Sequence, residues 1–124
     1  MRILCLHGYH GTADILRDQM RSLVHGLEPV ADFVYIDAPS LATGDFGWWH
    51  HNFAGWKRTR DWIVSLLQRE PRFDGVFGFS QGAALTSLLV GLRAPDGRLV
   101  GAIGVGGGFP DQDHQVAEAV LAAF

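Results

Sequence analysis

The residues best suited to chemistry form one glycine-flanked segment, Gly78-Phe79-Ser80-Gln81-Gly82. It matches Gly-x-Ser-x-Gly, a pattern in which a nucleophilic serine occupies a sharp turn between a strand and a helix. An aromatic, apolar run precedes it over residues 73–79, and leucines follow at helical spacing over residues 83–92. Glycines on both sides of the serine allow close helix packing and a strained turn. The pattern predicts Ser80 as a nucleophile; the alternative is a glycine-rich turn that carries no chemistry.

A serine that attacks an acyl carbon also needs hydrogen-bond donors for the oxyanion that forms. One donor is the backbone N–H of the residue after the serine, here Gln81, at the start of the following helix. The second comes from the loop after the first strand, here His7-Gly8-Tyr9, in which the backbone N–H of Tyr9 is the candidate. Taken alone, His7-Gly8 fits an ordinary strand-to-helix turn equally well.

The elements that must position these residues alternate between strands and helices. Strands are predicted at residues 3–6, 31–37, 73–79 and 99–105. Helices are predicted from an N-cap at Thr12 as far as Pro29, at residues 56–70, after Ser80, and at residues 113–122, with residues 40–55 irregular. The apolar face of the first helix is predicted to contain Ile15, Leu16, Met20, Leu23, Val24 and Leu27. The alternation predicts an α/β fold, a parallel sheet with helices on both faces and ligands beyond the carboxyl ends of its strands.

Composition limits the class of protein. The chain has 124 residues, enough for one domain, and its 48% hydrophobic and 19% charged content predicts a globular fold. A net charge of -3 gives no electrostatic reason to expect nucleic acid or an anionic membrane as a partner. The single cysteine, Cys5, excludes an internal disulfide, and its apolar neighbours predict a buried, inert thiol. No signal segment or membrane-spanning run is recognised, so the expected location is the cytoplasm.

Several segments, in the same order along the chain, resemble the serine hydrolase family often called FSH, a branch of the α/β-hydrolases. They are Leu6-His7-Gly8-Tyr9, Asp37-Ala38-Pro39, Gly47-Trp48-Trp49, residues 73–84 around Ser80, and Gly108-Phe109-Pro110. The resemblance implies a partial α/β-hydrolase fold and hydrolysis of carboxylic esters or thioesters through an acyl-enzyme on Ser80. It implies the same oxyanion donors, Tyr9 and Gln81, and it places Trp48 and Trp49 near the acyl pocket.

The chain departs from the family pattern after Gly108-Phe109-Pro110, where members continue with the strands that carry the acid and the histidine. In chain order the triad is serine, acid, histidine. Only one histidine, His114, follows Ser80, and it is the possible base; the acids that follow are Asp96, Asp111, Asp113 and Glu118. We therefore expect a C-terminally truncated single domain that hydrolyses activated esters slowly or not at all, because serine without a base is a weak nucleophile.

Other histidines and other functions are weaker alternatives. His10 lies in a loop at the same edge of the sheet, whereas His50 and His51 are expected to be solvated. No carboxylate or thiolate completes a tetrahedral set with His7 and His10, so neither a metal nor a cofactor is expected. The competing function is a catalytically incompetent domain that binds a small acyl ligand or a partner chain. A nucleotide loop at residues 104–108 is disfavoured because the Gly-x-Gly-x-x-Gly spacing is missing.

The last predicted strand, residues 99–105, carries a prediction about association. It is apolar nearly throughout and contains neither lysine nor proline. If no further strand pairs with it, its unpaired backbone groups form an open edge, and such edges invite pairing with other chains. The expectation is self-association through this edge.

Overall fold

The computed structural model describes residues 1–42, 45–69, 73–90 and 101–105. The predicted helix at residues 113–122, the possible base His114 and the loop at residues 106–110 lie outside the described residues. In chain order the elements are β1 (Arg2–Leu6), α1 (Ala13–Val24), β2 (Asp32–Ile36), β3 (Ser40–Ala42), β4 (Asp45–Phe46), a 3₁₀ turn (His51–Phe53), α2 (Trp56–Arg69), β5 (Gly75–Phe79), α3 (Gln81–Val90) and β6 (Gly101–Val105). Among the described residues, no helix has the length and apolar character that crossing a bilayer requires.

The main sheet has four strands in the order β2-β1-β5-β6, and every pair in it is parallel. Leu6, the last residue of β1, is in register with Ile36 of β2 and with Gly78 of β5. The carboxyl ends of these three strands therefore meet at one edge, and the residues that follow them are neighbours. β6 is the outermost strand of the described sheet, and self-association through it stays a prediction.

Both faces of the sheet are covered by helices. Leu4 and Leu6 point to one face, where they join a core cluster with Ile63 of α2 and Leu85 of α3. Cys5 points to the other face and packs with the buried stripe of α1, which contains Leu16, Met20 and Val24. Burial raises the pKa of the Cys5 thiol to about 12, so it stays protonated and unreactive. The predicted α/β fold, a parallel sheet with helices on both faces, is confirmed.

The first helix is shorter and its buried face narrower than predicted. Thr12 caps it as expected, with its hydroxyl accepting from the Ile15 N–H at 3.1 Å, but the helix ends at Val24. Ile15, Leu23 and Leu27 are 46%, 60% and 45% exposed, so their assignment to the apolar face was wrong. α1 contacts the sheet along one side, so one stripe of buried residues, spaced three to four positions apart in the sequence, is enough to cover the sheet there.

The region at residues 40–55, predicted as irregular, contains a small second sheet. β3 and β4 pair antiparallel, with Ser40 opposite Phe46. Strands of two or three residues are too short to show an alternating pattern, which explains why the sequence did not reveal them. The second helix, predicted at residues 56–70, is confirmed as α2.

The first turn of α3 approaches the end of β1 more closely than any side chain allows. A Cβ atom built on Gly82 would overlap the carbonyl oxygen of Leu6 and lie 2.6 Å from the carbonyl oxygen of His7. A Cβ atom on Gly78 would overlap the carbonyl oxygen of Gly82. These neighbours are backbone atoms, which cannot rotate away, so only glycine fits at both positions.

His7 joins the ends of β1 and β2. Its Nε2 accepts from the Ala38 N–H at 2.9 Å, so the ring proton is on Nδ1, which donates to the Gly8 carbonyl at 2.7 Å. The side chain is 1% exposed. Burial lowers the pKa of His7 below its ordinary value of 6.5, against the opposing effects of the Gly8 hydrogen bond and the Asp37 charge. His7 is therefore a neutral structural residue, because a second ring proton would face the Ala38 N–H.

We expect Gly82→Ala to lower the free energy of unfolding by about 3 kcal/mol, at the upper end of the usual cost of overpacking. The reason is the overlap of the new methyl group with the Leu6 carbonyl. Gly26→Ala is the matched control, because no atom lies within 4 Å of that position. Urea denaturation of both variants measures the difference, and a Gly82→Ala protein within about 0.5 kcal/mol of wild type would contradict the packing described.

Stability should fall as the pH is lowered past 6.5, because His7 binds its proton more weakly in the folded protein than in the unfolded chain. The stabilising effect of neutral His7 is complete above about pH 6.5, and it is lost as the pH falls toward the lower pKa that His7 has in the folded protein. His7→Gln has no titrating ring, so it should lose less stability between about pH 8 and about pH 5 in urea denaturation. Parallel losses in the two proteins would rule out His7 as the titrating group.

Candidate functional site

Ser80 lies directly between β5 and α3 and has a left-handed backbone conformation, with φ of 54°. Few residues other than glycine adopt such a value, and a strained backbone of this kind costs about 1–3 kcal/mol. The Ser80 carbonyl accepts from the N–H groups of Ala83 at 2.9 Å and Ala84 at 3.1 Å, so the helix begins at once after the serine. Strain of this kind is typical of functional sites, where the surrounding structure holds the residue in place.

The loop after β1 lies against Ser80. A Cβ atom built on Gly8 would be 3.1 Å from the Ser80 Cβ and 3.4 Å from the Phe79 carbonyl oxygen. Tyr9 follows Gly8 directly, so its backbone belongs to the segment beside the serine. Gln81 is the first residue of α3, and the first N–H groups of a helix have no acceptor within the helix. The structure thus places both predicted donor residues in segments adjoining Ser80, at the positive end of a helix dipole.

The Tyr9 side chain links this loop to the segment after β4. Its hydroxyl is hydrogen-bonded to His50 Nδ1 at 2.6 Å, and its ring lies against Gly47, where a Cβ atom would be 2.7 Å from the ring carbons. The expectation that His50 is solvated was wrong. The tyrosine ring shields it, and its Nε2 is buried with no hydrogen-bond partner among the described residues.

The Gln81 side chain, which the sequence did not single out, bonds to the same segment. Its Oε1 accepts from the Trp48 N–H at 2.8 Å, and its Nε2 donates to the Trp49 carbonyl at 2.8 Å. The side chain is 7% exposed, so both bonds are made away from water. Nothing in the sequence signals this contact, because its partners lie 33 and 32 positions away.

Trp48 and Trp49, the predicted pocket residues, are both buried. The Trp48 indole N–H donates to the His7 carbonyl at 2.7 Å, and the Trp48 carbonyl accepts from the Thr59 hydroxyl. The Trp49 ring packs against neighbouring aromatic rings, 5.6 Å from that of Phe53 and 5.8 Å from that of Trp56. The segment is therefore joined to the loop after β1, to α2 and to α3, and its role as a pocket wall stays a prediction.

His7, which follows β1, is not available for metal or acid–base chemistry. Both nitrogens of His7 are hydrogen-bonded within the fold, so this residue cannot act as a base or a ligand without breaking a buried contact. Within the described ranges, no three histidine, cysteine, aspartate or glutamate side chains gather as a metal site would require.

Comparison with known proteins gives the family. The family model described as Serine hydrolase (FSH1) matches residues 1–117. The chain is similar to Rhodanese-like domain-containing protein 6 of Arabidopsis thaliana, at 27% identity over 142 residues that cover 83% of this chain and 24% of that protein. It is also similar to Esterase alnB of Emericella nidulans, at 30% identity over 108 residues covering 77% and 38%, and to Esterase C25G4.2 of Caenorhabditis elegans, at 27% over 110 residues covering 73% and 50%.

The crystal structure of Zea mays acyl-protein thioesterase 2 aligns with 94% of this chain and 62% of that one, with a TM-score of 0.49 and 20% identity. The chain spans half or less of the length of the three curated relatives above. The family model nevertheless matches nearly the whole sequence, so the resemblance predicted from the motifs is confirmed: the chain belongs to the serine hydrolase (FSH1) family.

Proposed function

We propose that the protein hydrolyses carboxylic esters or thioesters through an acyl-enzyme on Ser80. The observation that carries the proposal is the left-handed Ser80 turn between β5 and α3, in a chain of the serine hydrolase family. A strained serine at the start of a helix exposes its hydroxyl at the edge where α/β proteins bind ligands. Two of the similar proteins are named esterases, which agrees with this chemistry.

The proposed reaction proceeds in two halves. The Ser80 hydroxyl loses its proton to a base as its oxygen bonds to the acyl carbon, and the carbonyl oxygen becomes an oxyanion held by the N–H groups of Tyr9 and Gln81. Collapse of this intermediate breaks the bond to the alcohol or thiol, which leaves with a proton. Water then attacks the acyl-enzyme in the same way and releases the acid and Ser80.

The base and the acid of the triad are the unassigned part of this mechanism. His7 is not the base, because its unprotonated nitrogen accepts from Ala38 and burial lowers its pKa. His114 remains the candidate base on sequence grounds, and it lies outside the described residues. The weak turnover expected from the sequence therefore also stays a prediction.

The proposed substrate is a small molecule whose acyl group lies beside the segment of Trp48 and Trp49. The Gln81 hydrogen bonds support this placement, because they bring the segment to the residue that follows Ser80. We also propose a cytoplasmic location, supported by a free, buried Cys5 in a chain without a second cysteine.

A fluorophosphonate probe should label the protein at Ser80, because phosphonylation needs an activated serine beside oxyanion donors. Ser80→Ala should abolish the labelling and remove whatever hydrolysis of p-nitrophenyl esters the wild-type protein shows above the uncatalysed rate. Ser87→Ala is the matched control: Ser87 lies on the exposed side of α3, and its hydroxyl donates to the Ala83 carbonyl of the same helix. Peptide mass spectrometry identifies the labelled residue. A folded wild-type protein that binds acyl ligands but takes no label at Ser80 would favour the non-catalytic alternative.

A further inference from the structure

We propose that the Gln81 side chain is a positioning residue, which fixes the segment of Trp48 and Trp49 against the Ser80 turn and thereby sets how well long acyl groups are processed. This proposal rests on the hydrolase function proposed above. It assigns to one residue two separate tasks: the backbone N–H faces the oxyanion, and the carboxamide holds the neighbouring aromatic segment.

The Gln81 carboxamide is chemically complementary to the backbone groups that it contacts. The Trp48 N–H can only donate and the Trp49 carbonyl can only accept, so their partner needs an acceptor and a donor side by side. A carboxamide supplies both groups at the end of one side chain, and the two 2.8 Å distances show that both bonds are made. A carboxylate or an apolar group at position 81 would leave at least one buried backbone group unpaired, which is costly.

Trp48 and Trp49 differ in the hydrogen bonds that hold them. The Trp48 backbone and indole are also held by Thr59 on α2 and by the His7 carbonyl. The Trp49 carbonyl, in contrast, receives its hydrogen bond from Gln81. Loss of the carboxamide should therefore loosen the Trp49 side of the segment first, while Trp48 remains attached to the core.

Gln81 is adjacent to Ser80 in the chain, so its side chain fixes the position of the aromatic segment relative to the turn. A misplacement of about 1 Å at an active site can cost about 10²-fold in rate. The hydroxyl of Ser80 and the backbone donors would remain, so short substrates that do not reach the segment should be affected least.

Gln81→Glu is the sharpest variant because it keeps the shape of the side chain. The ionised carboxylate can still accept from the Trp48 N–H, but it has no proton for the Trp49 carbonyl and repels that oxygen. The new charge lies beside the oxyanion site and should slow both p-nitrophenyl esters, so the readout is the octanoyl-to-acetyl ratio of kcat/KM, which we expect to fall by about 10-fold or more. Ser87→Ala, on the same helix, should leave the octanoyl-to-acetyl ratio unchanged. Equal losses for both esters would mean a general structural defect and would overturn the proposal.

A second measurement does not depend on activity. The four tryptophans, Trp48, Trp49, Trp56 and Trp62, pack around this segment, so near-UV circular dichroism reports its order. The Gln81→Glu spectrum should differ from wild type at about pH 8 and approach it at about pH 5, because the protonated carboxyl regains a donor for the Trp49 carbonyl. Gln81→Met, which has neither a donor nor a strong acceptor, should differ from wild type at both pH values.

These two measurements separate the proposals. If wild type neither hydrolyses esters nor takes the phosphonate label, the proposed function fails, and the circular dichroism alone decides whether Gln81 holds the segment. A Gln81→Glu spectrum identical to wild type at both pH values, or a difference that is insensitive to pH, would overturn the positioning role whatever the activity.

Discussion

The close approach of the first turn of α3 to the end of β1 is the constraint on which the candidate site depends. The backbone of Gly82 lies so near the Leu6 and His7 carbonyls that no side chain fits between them. This contact brings the start of α3 beside the loop after β1, so that Gly8 lies against Ser80. A helix placed farther from the sheet would separate the serine from Tyr9. Gly82, at the contact with β1, and Gly8, beside Ser80, thus set the distance between the proposed nucleophile and the proposed oxyanion donor Tyr9.

A layer of buried polar contacts surrounds this arrangement and fixes its neighbours. His7 joins the ends of β1 and β2, and its carbonyl receives the Trp48 indole N–H. Gln81 attaches the same aromatic segment to α3. Each of these groups is satisfied inside the protein, where an unpaired group would cost far more than in water. The polar layer therefore resists displacement, as a site that must hold a reacting serine requires.

Local sequence signals predicted the parts of this structure that local interactions determine. The strand, turn and helix around Ser80, the Thr12 cap and the extent of α2 all depend on residues close together in the chain. The exposure of Ile15 and Leu23 could not be predicted in this way, because it depends on how α1 lies on the sheet.

The contacts of the site depend on residues far apart in the sequence. Tyr9 and His50 are 41 positions apart, and Gln81 and Trp48 are 33 apart. The sequence pattern of a single segment does not reveal such pairs. The Gly-x-Ser-x-Gly pattern predicts a role for the Gln81 backbone N–H, whereas the structure shows that the Gln81 side chain also makes two buried hydrogen bonds.

A crystal structure of the phosphonylated protein would test the central claim most directly. We expect phosphorus bonded to Ser80 Oγ, with the phosphonyl oxygen about 2.7–3.1 Å from the backbone nitrogens of both Tyr9 and Gln81. The Ser80 backbone should keep its positive φ. A phosphonyl oxygen that points to solvent, or adduct formation on another residue, would contradict the claim that the glycine-mediated contact between α3 and β1 assembles an acyl-transfer site.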